Sequence, residues 1–310
     1  MLSTETLAWL AAGDPAVAFQ TWRDLGGDLR PQLQARIVTE GVGAQLLQAR
    51  RADGHWGLGF YQPKWTSTHY TLLEFVGLAV SPEQPALRAS VAMVLREQKA
   101  SDGGVNPTGS VKSSDVCVNG MALTYAAYFR ADEVDLTSVV DLLLGQRMPD
   151  GGFNCRSNRS GARHSSVHTT TSVIEGCTAY LERGYRHRAA HVRDARAGAV
   201  EFLLRHQLFR SERTGAPIHP EFTRLHHPPR WYFDVLRGLE AVQQAGYGAD
   251  GRLADALAIL RRRRRADGRW VAARAHPGVT HVPVDPAGQP SRWVTLRAAR
   301  ALLAAERAAG

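Results

Sequence analysis

The chain has 310 residues, with 38 Lys plus Arg against 29 Asp plus Glu, a formal charge of +9. Its 44% hydrophobic and 22% charged residues are an ordinary globular balance, which excludes a disordered tail and a fibrous chain. No uncharged apolar run approaches the roughly 18–20 residues that span a bilayer, while the basic balance leaves nucleic acid, anionic lipid and phosphorylated small molecules open as partners.

Apolar residues at helical spacing predict helices over roughly 3–11, 14–25, 31–51, 67–79, 84–99, 116–130, 134–147, 167–184, 191–207, 229–246, 250–264 and 291–307. Alternating strand patterns are scarce. The stretch Met1 to Val17 lacks a basic leader and carries Glu5 and Asp14, so it does not read as a signal peptide. Three cysteines, Cys117, Cys155 and Cys177, are an odd number in a large chain. That favours reduced thiols and a cytoplasmic protein over a disulfide framework.

Between these helices one punctuation recurs. Asp53-Gly54-His55-Trp56, Asp102-Gly103-Gly104-Val105, Asp150-Gly151-Gly152-Phe153 and Asp267-Gly268-Arg269-Trp270 each follow an amphipathic helix. The first two gaps between the aspartates are 49 and 48 residues, and the third is 117. The long gap predicts a degenerate repeat near His206-Gln207, before an insert running from Arg210 to Pro229. Each Asp-Gly stops a helix, because glycine takes the left-handed backbone that ends one. Ser/Thr/Asp clusters, Thr66-Ser67-Thr68, Ser113-Ser114-Asp115 and Ser165-Ser166, then supply N-caps for the next helix. The helices that follow the loops are less charged than those before Asp-Gly, as expected of a buried inner layer. The expected architecture is therefore all-α, a single α/α toroid (an α6–α6 barrel) of helical hairpin repeats, with N-terminal helices over 1–40 and repeats over 41–307.

Gln-x(3–4)-Asp-Gly-(Gly/aromatic) units at this period resemble the prenyltransferase and squalene-cyclase repeat family, over about residues 40–300. In the repeat residues themselves the plain reading is structural, Gln and Asp stitching one hairpin to the next. The Asp-x-Asp-Asp acid of the family's class II cyclases has no counterpart; Asp132-Glu133-Val134-Asp135 is the nearest run and its spacing differs. An Asp-Asp-x-x-Asp magnesium motif is likewise missing. The other branch is similar at two points to the protein prenyltransferase β subunit. Asp115-Val116-Cys117 matches its Asp-x-Cys zinc pair, and His168-Thr169 matches the His that opens a later inner helix.

What the resemblance implies is a zinc held by Asp115, Cys117 and His168. The spacing is compatible: Cys117 and His168 are 51 residues apart, about one repeat, so they open neighbouring inner helices, and packed helices about 8–10 Å apart can share an ion. Carboxylate, thiolate and imidazole with one open position suit a catalytic zinc that activates a substrate thiol. The bland alternatives are an N-cap for Asp115, a small buried hydrophobe for Cys117 and a hydrogen-bonded helix-start histidine for His168. Cys155, His164 and His69 are possible substitutes, and Cys177 reads as core. For an isoprenoid diphosphate the candidates are Lys64 and Lys112, with Arg230 and Trp231 from Pro228-Pro229-Arg230-Trp231-Tyr232; the family's Arg and Tyr anchors are Gly109 and Val118 here. Trp65, Tyr70, Tyr125, Tyr128, Trp231, Tyr232, Phe233 and Trp293 are candidates to wall an apolar chamber. The run Arg261 to Arg265 closes a helix, where cations meet the negative end of its dipole, and reads as a solvated face; no nucleic-acid partner is expected. Three functional readings follow: a zinc-dependent prenyltransferase-like enzyme acting on an isoprenoid diphosphate and a thiol, a terpene or isoprenoid cyclase-like enzyme, and a non-catalytic module binding a lipid or a protein.

Overall fold

A computed structural model describes residues 2–108, 113–155 and 161–309. Among them are thirteen α-helices: α1 (Thr4–Ala11), α2 (Pro15–Gln20), α3 (Pro31–Arg36), α4 (Gly41–Gln48), α5 (Thr68–Gly77), α6 (Pro85–Glu97), α7 (Val116–Tyr128), α8 (Glu133–Gly145), α9 (Val167–Glu182), α10 (Ala189–Arg205), α11 (Val235–Gln244), α12 (Ala254–Arg263) and α13 (Arg292–Ala309). A π-helical turn, Thr21–Leu25, prolongs α2. Three short 3-10 turns, Lys64–Thr66, Pro220–Thr223 and Gly251–Leu253, and isolated β-bridges accompany them among the described residues, and among those residues no helix is long and apolar enough to cross a membrane.

In chain order the helices form six two-helix repeats, called hairpins here, α1–α2, α4–α5, α6–α7, α8–α9, α10–α11 and α12–α13, and across the repeats α5 packs on α6, α7 on α8, α9 on α10 and α11 on α12. The second member of each belongs to an inner ring. Contacts run from α5 to α7, α9, α11 and α13, and from α13 to α2 and its π turn. The Gln20 side chain closes the circle, donating to the Gly77 carbonyl of α5 at 3.0 Å. α6, α8 and α10 succeed one another outside. The protein is thus an all-α toroid.

The repeat has a physical stitch. All four Asp-Gly glycines have positive φ, from 78° at Gly268 to 93° at Gly151. The residue after each turn donates its N–H to a side chain in the first turn of the following inner helix: Trp56 to Thr68 at 3.0 Å, Val105 to Asn119 at 2.7 Å, Phe153 to Thr170 at 3.0 Å and Trp270 to Thr295 at 3.0 Å. Asp102 accepts from the N–H and hydroxyl of Ser114, and Asp150 does the same for Ser165. Where that serine is held, the second residue of the turn has no room for a side chain: a Cβ on Gly104 or Gly152 would lie 2.6 or 2.7 Å from the serine Cβ. This is why two turns read Asp-Gly-Gly.

The structure departs from the sequence-based windows in two places. The stretch 31–51 divides into α3 and α4, because Gly41 takes φ 63° and the Asp14 carboxylate accepts from the Val42 N–H at 2.7 Å, drawing the chain against α2. The window 229–246 begins as helix only at Val235, after the His227-Pro228-Pro229 segment, with Asp234 as the N-cap accepting from the Arg237 N–H. In the fifth hairpin, Gln207 and Leu208 take positive φ where the other turns have Asp-Gly.

Candidate functional site

The starts of α7 and α9 position the expected metal ligands. Asp115 occupies the N-cap of α7. Cys117 donates its backbone N–H to the Cys155 sulfur at 3.0 Å, and the Thr169 hydroxyl lies 3.5 Å from that sulfur. The neighbouring Cys155 thiol and burial raise the Cys117 thiol, and the donors around Cys155 lower its own.

His168 faces the other way. Its Nδ1 accepts the Phe233 N–H at 2.8 Å, and its ring is boxed by Phe222 and Trp231 at 5.3 Å, Tyr232 at 6.2 Å and Phe233 at 6.5 Å. The stitch explains the divergence. Cys117 precedes Asn119 by two residues and His168 precedes Thr170 by two, so they are the same position in successive repeats. Each side chain meets the loop of its next hairpin rather than the other. Burial, with Arg237, His219 and His276 adding to it, pushes His168 down to about 4. The ring is neutral near pH 7, and with Nδ1 accepting, Nε2 carries the proton, so neither nitrogen offers a free lone pair. Among the described residues no three His, Cys, Asp or Glu side chains are grouped to hold a metal ion. The arrangement does not fit a zinc shared by Asp115, Cys117 and His168. Of the substitutes, Cys155 stands beside Cys117. His69 is fully buried among Phe60, Tyr61, Tyr70 and Tyr125, which drives it down to about 3. His164 is exposed on a loop.

Lys112 lies outside the described residues. The other three basic and aromatic candidates meet over α5. Lys64 Nζ stands 5.8 Å from the Trp231 ring, and the Arg230 guanidinium 5.4 Å from Trp65. Arg230 also pairs with Glu74 at 3.0 Å, and both side chains are nearly buried. Trp65 donates to the Pro277 carbonyl and packs on Tyr70 and Tyr232. Of the remaining aromatic candidates, Tyr125 is wholly enclosed, Tyr128 donates to the Val80 carbonyl, and Trp293 stacks on His227. Arg261, Arg262 and Arg263 are exposed.

A cleft lies between the 206–234 segment that joins α10 to α11, which contains the predicted insert Arg210 to Pro229, and the start of α9, with a volume of about 950 Å³. Phe202, Phe222, Tyr232 and Phe233 give it an aromatic wall, and six histidines, His164, His168, His206, His219, His226 and His276, border it. His226 is the most constrained. Its Nδ1 lies 3.3 Å from Asp234 Oδ2, its Nε2 lies 3.4 Å from Glu221 Oε2, and its backbone N–H donates to Asp234 at 2.8 Å. Burial raises Asp234, but the His226 hydrogen bond, the field of Arg297 and two backbone N–H groups outweigh it and hold the carboxyl below its usual range. His276 stacks on Tyr232 with centroids 3.8 Å apart and on His226 at 4.6 Å. Sequence reasoning missed this carboxylate–imidazole–carboxylate line. Its signal was this segment itself, with His219, Glu221, His226 and Asp234 within sixteen residues.

No protein-family model matches the chain, and no curated protein matches it. Among solved structures it is similar to a protein from Actinoplanes, at 18% identity over 89% of this chain and 99% of that one, with a TM-score of 0.38. It is also similar to the type II terpene cyclase MstE from Scytonema, at 14% identity over 90% and 99% of the two chains and a TM-score of 0.38. A variant of MstE in complex with geranylgeranyl dihydroxybenzoate is similar at 15% identity, covering 89% and 98%, with a TM-score of 0.36.

Proposed function

We propose that the protein is an isoprenoid-processing enzyme of the terpene-cyclase kind and that the cleft beside α9 receives its substrate. The observation that supports this reading is the meeting, in one cleft, of an aromatic wall with a fixed proton acceptor. Phe222, Tyr232 and Phe233 offer π faces, which stabilise a cation without attacking it. Glu221, the part-exposed carboxylate of this line, is the group that takes a proton from a cationic isoprenoid, and His226, bound by Asp234 at Nδ1, holds Glu221 in place through Nε2. The volume of about 950 Å³ is in the range of small-molecule sites. Zinc-dependent thiol prenylation, the other enzymatic reading, has less support, because His168 gives its Nδ1 to the Phe233 N–H and turns its ring to the segment before α11, while Cys117 meets Cys155.

Incubation with linear polyenes, allylic diphosphates and prenylated phenols, followed by mass spectrometry, tests the proposal. The expected result is a cyclised or proton-eliminated product, lost by about 10²–10⁴-fold in His226→Ala, with saturable quenching of tryptophan fluorescence by the ligand retained. Neither product nor saturable quenching with any of these compounds would overturn it.

A further inference from the structure

Cys117 and Cys155 come from different hairpins, 38 residues apart in sequence, yet the Cys117 amide lies 3.0 Å from the Cys155 sulfur. Both residues are half-buried, whereas Cys177 is enclosed inside α9. The sulfur of Cys155 is the better placed to react. The Cys117 N–H and the Thr169 hydroxyl both point donors at it, and such donors favour a thiolate. A Cys155 sulfur already against the backbone of Cys117 needs little chain movement to reach the Cys117 sulfur.

We propose that Cys117 and Cys155 are a modification site, a dithiol that a low-molecular-weight disulfide oxidises reversibly to an intramolecular disulfide. The Cys155 thiolate attacks one sulfur of the external disulfide, forming a mixed disulfide and releasing one small thiolate. Cys117 gives its proton to water and attacks the Cys155 sulfur, and the second small thiolate leaves. Two protein thiols are oxidised and one external disulfide is reduced to two thiols. The bond ties the start of α7 to Cys155, two residues after the Phe153 that Thr170 of α9 holds. The inference does not depend on the proposed function.

The native full-length protein, incubated with oxidised glutathione, then blocked and mapped by mass spectrometry, provides the test. Of the three free thiols, two are expected to be lost without a retained glutathione adduct, with a Cys117–Cys155 cross-linked peptide that dithiothreitol dissolves. Cys117→Ser is expected to trap the adduct on Cys155, and Cys177→Ser to leave the cross-link unchanged. A persistent glutathione adduct on the wild-type protein, or three thiols still titratable after oxidation, overturns the proposal.

Discussion

At the level of single residues, the repeat aspartates are not equivalent, although they read alike in sequence. Asp102 accepts from the Gly104 N–H, the Ser114 N–H and the Ser114 hydroxyl at 3.1, 2.7 and 2.8 Å, and burial, which opposes its charge, is outweighed by these bonds, holding its carboxyl low. Asp53 instead accepts from the exposed Arg51 side chain and the His55 N–H. Asp102→Ala is therefore expected to cost about 1–3 kcal/mol, leaving donors unmet, and Asp53→Ala less than about 1 kcal/mol. Urea unfolding followed by circular dichroism measures both; equal losses would contradict the distinction. The Asp-Gly motif showed where the turns fall. Which aspartate grips a serine depends on the loop that follows, and on the absence of a side chain at Gly104 and Gly152. The same limit governed the metal reading. Cys117 and His168 open neighbouring helices as the spacing indicated, but their common offset from Asn119 and Thr170 carries both to one repeat position, aimed at successive loops.

Among the elements, α7 and α9 approach one another most closely. A Cβ on Gly176 would stand 2.4 Å from the Gly120 carbonyl oxygen, and one on Gly120 would stand 2.6 Å from the Ser172 carbonyl oxygen. Backbone on both sides leaves nothing soft to yield, so Gly176→Ala is expected to destabilise by at least about 1–3 kcal/mol. Gly77 and Gly145, each the last residue of its helix, have nothing within 4 Å of an added Cβ. Alanine at either is expected to stabilise by about 0.4–1 kcal/mol. Thermal unfolding of the three variants checks that the sign reverses between Gly176 and the two helix-end glycines. Hydrophobic periodicity located nearly all these helices because each buries one face against a neighbour. It could not indicate that α11 waits until Val235, since that start is set by the proline-rich segment and by Asp234, whose second role, holding His226, is tertiary.

For the whole molecule, buried polar groups set the acid limit. His69 is fully enclosed and falls to about 3 through desolvation alone. His227 is pushed far below its ordinary value by burial, with Arg297 and Arg230 adding repulsion. Unfolded, both protonate near pH 6.5. Below that value the unfolded chain binds protons that the native state refuses, so stability is whole at pH 7 and falls as pH drops. Each group removes on the order of 1.4 kcal/mol per pH unit. The unfolding temperature is expected to decline steadily from pH 6.5 toward pH 4, and His69→Gln to lessen the slope by about one proton. An unchanged slope in that variant would show that His69 is solvated.

The ring is also joined by charge. Arg237 grips Glu175 at 2.8 and 2.6 Å, Arg297 grips Glu240 at 2.6 Å, and Arg300 reaches both Glu240 at 2.6 Å and Asp24 at 3.0 Å. Through Arg300 the helix α13 reaches the π turn that prolongs α2. An open stack of repeats can gain or lose a unit at either end and simply lengthen or shorten. Here an extra hairpin would carry that guanidinium away from its aspartate, and a missing one would drive the two ends into each other. The tally of hairpins in this architecture is consequently frozen, and evolutionary change is confined to what hangs between them, as in the segment from 206 to 234.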